Sequence, residues 1–462
     1  MPKLILTSVA FALSLTTVAH AAPLDASQSA RIDAAIRTAL TASAAPSASV
    51  AVVKDGEIVY ARAFGQAALA TNQAPAIAAT PATRYQIASV SKEFVGAAAL
   101  LLQEDGRLSL DDHVSKWFPE LTSADKITVR QLLSHTSGYS DYWPQDYVML
   151  PMTKDTTPHD IITRYAGAPL DYQPGDDWQY SNTGYVVAGL IIEKVSGQPL
   201  FDFVRDRILK PVGISDAVDI SQTDLVAPDA LGYERRALAA NRLTPEAGHG
   251  WLFGAGFLGM TAADVAKWDI SLLRRTLLKP DSYTTELTTI KLNNGRDSGY
   301  AMGLFVSTVN GHTLIEHDGE GAGYISENRI YPDDGLAIVV LTNSMSGTAV
   351  GDAADRIAFL MMPPTGIDAH LQTVFEGLQA GTVNCADFSD DFNAYLTPAT
   401  IADYKNSLGP LGTPSTFTLS RDSQRGGMEG RAYRIRAGGQ NLVLSVYLTP
   451  DGKIEQFLVW PR

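Results

Sequence analysis

The sequence predicts an α/β (α+β) chain. One sheet is assembled from distant segments, a helical lobe is inserted between them, and a small α+β domain ends the chain. Three observations carry this reading. Strand-like runs occur at 47–63 and again at 303–341, the stretch between them is mainly helical in pattern, and Met362-Pro363-Pro364 breaks the chain before a new alternating region. Strands at both ends of a helical region imply one sheet with an insertion. At 462 residues there is ample length for a large core and for more than one domain.

Asp25 to Leu40 has helical character. Ser47 to Val53 and Glu57 to Ala63 read as strands joined by Asp55-Gly56, a strong hairpin signal. Gly65 to Thr83, rich in Ala, Pro and Thr, reads as loop, and Arg84 to Ile87 as extended. The apolar run from Phe94 to Leu102 then reads as a helix opened by Ser89 and stopped by Gly106. Val129 to Leu133 leads into the turn-rich Ser134 to Gly138. Tyr185 to Val195 is a helix stopped by Ser196-Gly197, and Ala262 to Leu273 is another, N-capped by Thr261. Gly303 to Val309, His312 to Glu316, Gly323 to Tyr331 and Leu336 to Leu341 are strands. Past the break come a helix at Ala369 to Ala380, a loop, and a meander of Arg431 to Arg436, Leu442 to Leu448 and Lys453 to Val459. The expected division is 1–21, 22–364 and 365–462.

Apolar residues make up 45% and charged residues 19%, as in ordinary globular proteins. The net charge of −14, with no long basic run, argues against nucleic acid or an anionic membrane as the main partner. Residues 1–21 look like a secretory signal, with Lys3, a short apolar stretch Leu4 to Val18, and the small-residue cleavage site Ala19-His20-Ala21. The apolar run is shorter than the roughly 20 residues of a spanning helix. A secreted or periplasmic location is expected, with no stable membrane insertion after cleavage. Cys385 is the only cysteine, so no intramolecular disulfide is possible, and it reads as a small hydrophobe in a packed segment. The histidines lack metal-ligand spacing, so neither metal nor cofactor is expected.

Ser89 and Lys92, one helical turn apart, would share a face, with helix-start N–H groups near the serine. That is a workable nucleophile beside a workable base. The pattern alone is weak. Ser123-Ala124-Asp125-Lys126 repeats it in a polar stretch, and Tyr404-Lys405-Asn406 repeats the form of Tyr180-Ser181-Asn182. Context separates them. Ser89 opens an apolar helix, Tyr180 lies in a turn just before another, and His317-Asp318-Gly319 ends a strand with Gly321-Ala322-Gly323 following. Tyr142, Trp143, Tyr147, Met149 and Met152 have no clear period; core packing is the preferred reading, pocket lining the other. Trp251, Phe253 and Phe257 fit a cleft wall or the core equally.

With these motifs in this order, the chain resembles the serine β-lactamase/penicillin-binding-protein superfamily, nearest its class C β-lactamase-like branch. The resemblance runs from about Ser47 to about Met361, supported by the phrases 129–138, 256–261 and 299–303. It implies the β-lactamase/transpeptidase-like fold with an antiparallel sheet. It also implies an exported serine hydrolase working through a Ser89 acyl-enzyme on a small ester, amide or peptide. Esterases, D-aminopeptidases and D,D-carboxypeptidases are the nearest activities; a true β-lactamase, or a penicillin-binding sensor that does not turn over, are the alternatives. Lys92 and Tyr180 would share the proton transfers in a split left open, and Asn182 would orient a substrate carbonyl or the Lys92 amine. The backbone N–H groups of Ser89 and Glu320 would hold the oxyanion. An ordinary lysine, with a pKa of about 10.4, is useless as a base at neutral pH, so burial has to depress Lys92. The histidine of the 134–138 turn, His135, is structural in this family.

The resemblance implies that His317, Asp318, Gly319 and Glu320 bind or orient substrate beside Asn182, but the chain departs from β-lactamases at this third motif, where His317-Asp318-Gly319 replaces Lys-Thr-Gly. The permanent cation is gone, and Asp318 takes the place that faces the substrate's carboxylate in the family. Glu320 shares its strand face. Anionic substrates are therefore expected to be poor, and neutral esters or peptides presenting an amino group favoured, unless the two acids turn to solvent or pair with an arginine. The domain at 365–462 would cap the cleft, mediate dimerisation or bind cell-wall material.

Overall fold

The computed structural model describes residues 24–345 and 349–462; the expected secretory segment lies outside them, and of Ala349 only the backbone is described. Asp25 opens helix α1 (Ala26–Ser43) with a capping box closed by Gln28. Strands β1 (Ser47–Lys54) and β2 (Glu57–Ala68) follow as a hairpin. Its turn is Asp55-Gly56, with φ of 51° and 78°, the mirror-image geometry that suits the strand twist. β2 runs five residues past the expected end and pairs with a two-residue edge strand, β3 (Ile77–Ala78), inside the stretch expected to be loop.

The remaining strands are β4 (Phe305–Val309), β5 (His312–Gly321), β6 (Tyr324–Tyr331) and β7 (Leu336–Thr342). Together they make a seven-stranded sheet in the order β3-β2-β1-β7-β6-β5-β4. β1 and β7 pair antiparallel at its centre, Val50 opposite Val340, so segments nearly the whole sheet apart in sequence close it. The lobe between contributes α2 (Ser91–Glu104), α3 (Asn182–Ser196) and α4 (Ala262–Arg274), and the sheet is followed by α5 (Ala349–Met361). Val50, Val52, Ile338 and Val340 pack on Ile36 of α1 and Ile357 of α5. Ala51, Val53, Val339 and Leu341 belong to the lobe's core with α2 and α4. Covering both faces is why β1 and β7 are apolar without alternation.

β5 is longer than the sequence suggests. It continues through His317-Asp318-Gly319 to Gly321, so that motif is mid-strand and not at a strand end. Acids and glycines have poor strand propensity, and pairing with β6 overrides it.

Residues beyond α5 have an apolar core of their own, including Phe375, Tyr433, Leu444 and Phe457. Helix α6 (Gly366–Ala380) packs with a four-stranded meander, β8 (Thr416–Arg425), β9 (Met428–Ala437), β10 (Gln440–Leu448) and β11 (Ile454–Pro461). β8 has no sequence signal, because its second half is polar and exposed throughout. The expected loop between α6 and the meander holds two helices, Asp390–Tyr395 and Pro398–Leu408. Cys385 is exposed in a short turn of this loop, contrary to the packed position expected of it. This region meets the first through an Arg436–Asp352 ion pair and a Leu419 N–H donated to Asn310 Oδ1 at 2.9 Å.

The lobe's core also buries Glu93, Asp269 and Glu286 completely. Trp268 Nε1 donates to Glu93 at 2.7 Å, and Asn328 Nδ2 bridges Glu93 (3.2 Å) and Asp269 (2.9 Å). Neither Glu286 oxygen has a hydrogen-bond partner. Carboxyls buried without a counter-charge favour the protonated form. Burial pushes Glu93 up to about 8 and, with the Glu93 charge second, holds Asp269 and Glu286 well above the usual range. A raised native pKa means that the folded state keeps a proton the unfolded chain releases. The Glu93 contribution is therefore complete below about 4.5 and is lost as pH rises through about 8. The thermal midpoint is expected to fall over that window, and Glu93→Gln to flatten the fall by at least about 2 °C. Parallel pH curves for the two proteins would refute this.

Candidate active site

The turn that carries Ser89 is built from the edge of a second, small sheet. Tyr85–Gln86 pairs with Leu258–Met260, and Ile87 N–H donates to Leu258 O at 3.1 Å. The chain then reverses through a tight 3₁₀ turn, Ala88–Val90, into α2. Ala88 has a φ of 46°, in the left-handed region that residues with a Cβ avoid, so packing has to hold it. Ser89 therefore stands on this turn, just ahead of the regular helix. Ser326 Oγ of β6 fastens the turn by donating to Ile87 O at 2.8 Å. Gly319 lets β5 close in beside it, because a Cβ there would lie 2.3 Å from Ile87 O and 3.1 Å from Ser89 N.

Lys92 is 0% exposed, and its Nζ has three neighbours: Ser89 Oγ at 2.9 Å, Asn182 Oδ1 at 2.9 Å and Ala255 O at 2.7 Å. Burial lowers its pKa to about 7, against the opposing charges of Asp141 and Asp318. A neutral amine has two N–H bonds and one lone pair. The two carbonyl oxygens can only accept, so they take both N–H groups and leave the lone pair to the serine O–H. That is the geometry a general base needs.

Tyr180 reaches the same point from the turn before α3, its ring 4.9 Å from Lys92 Nζ. Burial raises its hydroxyl well above 10, partly offset by the nearby Ser89. Behind it His135 stacks on the Tyr180 ring at 4.2 Å and accepts the Ser181 N–H on Nδ1 at 3.0 Å. Burial holds His135 neutral, which suits the packing role the resemblance implies.

His317 turns inward. It is 1% exposed, Nδ1 donates to Asp318 O at 2.5 Å, and Nε2 accepts the Tyr300 hydroxyl at 2.9 Å. Burial lowers it to about 4, so it is neutral and does not line the cleft; the substrate-facing place expected of it is taken by its neighbours. Alternation along β5 puts Asp318 and Glu320 on the open side.

The cleft encloses about 420 Å³ and is lined by Ser89, Tyr180 and Asn182 together with Asp141, Asp146, Asp318 and Glu320; no Lys or Arg is among its lining residues. Asp318 is 69% exposed, and neither it nor Glu320 pairs with an arginine among the described residues. Glu320 is pushed up to about 6 by burial first and then by Asp146 and Asp318. Trp143 and Tyr147 line the cleft, Tyr142 lines it from a buried position, and Met152 is buried in the core, so the aromatic loop serves both purposes. Trp251, Phe253 and Phe257 are core residues. No lining residue comes from 365–462, so capping the cleft, one of the three roles considered for that region, has no contact to support it. Ser123 and Tyr404 do not line it either; the Tyr404 hydroxyl donates to Phe457 O in the C-terminal core. The sequence motifs missed Asp141 and Asp146, lone acids in an aperiodic loop that carry no spacing signal. Among the described residues no cluster of His, Cys, Asp and Glu could hold a metal, and no helix is long and apolar enough to cross a membrane.

A seven-stranded antiparallel sheet with an inserted helical lobe, and a serine–lysine turn facing a tyrosine across the junction, define the serine β-lactamase/transpeptidase class. The chain belongs to the beta-lactamase family, whose model matches residues 32–361. It is 30% identical to Protein flp of Staphylococcus aureus strain MW2 over 68% of its own length, and spans 62% of that relative. The D-amino acid amidase of Ochrobactrum anthropi SV3, solved with L-phenylalanine amide, is 27% identical, with a TM-score of 0.62 over 71% of this chain and 98% of that one. The octameric penicillin-binding protein homologue of Pyrococcus abyssi has the same TM-score, 0.62, at 21% identity over 93% of this chain and 99% of that one, which speaks for the fold alone.

Gly319→Ala is expected to force β5 off the Ser89 turn. A shift of about 1 Å in a reacting group costs on the order of 10²-fold in rate. Activity should fall by about that factor with an unchanged circular dichroism spectrum; near-normal activity would show that the close approach is dispensable.

Proposed function

We propose that this chain is an exported serine hydrolase that cleaves amides, peptides or esters carrying a protonated amino group near the scissile bond. The observation that carries the reading is the combination in one cleft of Ser89, Lys92 and Tyr180 with four carboxylates and no lining cation. Lys92, neutral through burial, takes the Ser89 proton as Oγ attacks the carbonyl. The N–H groups of Ser89 and Glu320 hold the developing oxyanion; Ser89 N lies against β5 one residue from Glu320. Tyr180 gives its proton to the departing amine or alkoxide and recovers one from the Lys92 ammonium, while the acyl group stays on Ser89. Water then adds, losing a proton to the again neutral Lys92–Tyr180 pair, which returns it to Ser89 Oγ as the acid is released. The structural likeness to a D-amino acid amidase supports amide cleavage, and the acidic wall supports a cationic rather than anionic substrate.

Like charges within a few ångströms of a substrate carboxylate repel it, and more strongly in a partly dehydrated cleft than in water. This places D-aminopeptidase, amidase or esterase chemistry ahead of D,D-carboxypeptidase, and that ahead of β-lactamase. A sensor that acylates and stalls would need Lys92 for acylation but has no use for the deacylation apparatus, which ranks this alternative below a hydrolase that turns over. Small-molecule substrates remain the expected partners, in a secreted or periplasmic location after cleavage behind Ala21.

Intact-mass spectra after exposure to a fluorophosphonate, a p-nitrophenyl ester, penicillin and D-amino-acid amides are expected to show adducts or turnover in wild type and none in Ser89→Ala. The same spectra of secreted material should begin at Ala22. Absence of any Ser89-dependent product would end the hydrolase reading. Replacing the acidic wall tests the charge argument separately. Asp318→Thr is expected to raise penicillin turnover at least about tenfold relative to ester turnover, the size of one modest charge interaction. An unchanged ratio would show that Asp318 does not select substrates.

A further inference from the structure

Asp141 accepts three N–H groups from two elements. Its Oδ1 takes the backbone N–H of Trp143 and of Asn182, each at 3.1 Å, and its Oδ2 takes Asn182 Nδ2 at 3.2 Å. Asn182 is the first residue of α3, and the N-cap Ser181 makes no side-chain cap. Asp141 thus supplies from another loop the acceptor that the helix start lacks, and its charge faces the positive end of the helix.

The chemical consequence lies in the Asn182 amide, which presents an oxygen at one end and N–H donors at the other. A carboxylate can only accept, so Nδ2 has to face Asp141 and Oδ1 has to face Lys92, where it accepts from Nζ at 2.9 Å. The reversed amide would aim an N–H at the amine and compete for its lone pair. We infer that Asp141 is a positioning residue: by fixing which end of the Asn182 amide meets Lys92, it directs the lysine lone pair at Ser89. The inference rests on the proposed reading of Lys92 as the base.

Asp141 also acts through charge. Around Lys92 lie the rings of Tyr180 and Tyr185 at 4.9 and 5.3 Å, the neutral His135 and His317, and the carboxylates of Asp141 and Asp318. An ionised Asp141 favours the ammonium form, so neutralising it lets Lys92 lose its proton at lower pH. Orientation and charge therefore make separate marks: one on the plateau rate, the other on the position of the acid limb.

The experiment measures the pH dependence of fluorophosphonate acylation for wild type, Asp141→Asn, Asp141→Ala, Asn182→Ala and Asp141→Ala/Asn182→Ala, with thermal midpoints as the folding control. A wild type that is not labelled at Ser89 would defeat the hydrolase reading itself. With a labelled wild type, whose rate should rise through about pH 7, Asp141→Asn is expected to move the acid limb down by about half a pH unit or more. Asp141→Ala should lower the plateau at least about tenfold, and the double variant should lose no more than the worse single one. A purely structural tie between loop and helix would lower the thermal midpoints and leave the plateau rates of the folded variants unchanged. Coincident limbs for wild type and Asp141→Asn, unchanged plateaus, or additive losses in the double variant would overturn the inference. If the alanine variants do not fold, the plateau of Asp141→Asn decides: an asparagine at 141 can present an N–H to the Asn182 amide and let it reverse, so an undiminished plateau would overturn the inference.

Discussion

The structure depends on keeping one amine dry. The proposed role of Lys92 as a base near neutral pH rests on its complete burial, which lowers its pKa to about 7, and dehydration of a lysine is costly unless its N–H groups are otherwise occupied. Ala255 O and Asn182 Oδ1 occupy them. The rest of the lobe's packing serves that enclosure. Met302 and Gly303 press on α2 so closely that a Cβ on Gly96 would lie 2.1 Å from Met302 O, and one on Gly303, at φ +92°, 2.6 Å from Lys92 O. The phrase Gly299-Tyr300-Ala301-Met302-Gly303 thus has a mechanical reason. It seals the back of the helix while Tyr300 holds His317.

Dryness has a price on the far side of α2. Glu93 follows Lys92 in the chain and points the other way, into a pocket of carboxyls that stay protonated because nothing there offsets a charge. The lowered pKa of the amine and the raised ones of the acids have one cause: both lie in a core that disfavours charge, reached from neighbouring positions on one helix.

Much of this was legible in the sequence, because periodicity and turn chemistry are local. The Asp55-Gly56 hairpin, the Gly197 stop of α3 and the Thr261 cap of α4 each follow from a residue type at its own position. That one sheet is built from both ends of the lobe followed from texture, and its antiparallel order from the resemblance; the pairing of β1 with β7 bears both out. Less legible were features decided by contact. β5 runs through an acid–glycine motif because β6 pairs with it, and β8 survives as a polar strand because β9 does. Asp141 was invisible for the same reason. Its meaning lies in the partner 41 residues away, and no spacing rule connects a loop acid to a helix start.

The acidic wall combines both kinds of information. Asp318 and Glu320 share a face by strand alternation alone, whereas Asp146 joins them only because the aromatic loop folds over the cleft. The three acids need not act on the reacting bond to matter. Placed within one cleft, they raise the local concentration of cations and disfavour anions before any bond is made, and in a recess their field is screened less than on an open surface. Asp318 is felt at Lys92 as well, where its charge favours the ammonium form and opposes activation of the base. A bound ammonium group at the wall would offset that charge and let the amine lose its proton more readily. On the proposed reading, selection of a cationic substrate and readiness of the base would then be coupled through the same carboxylate.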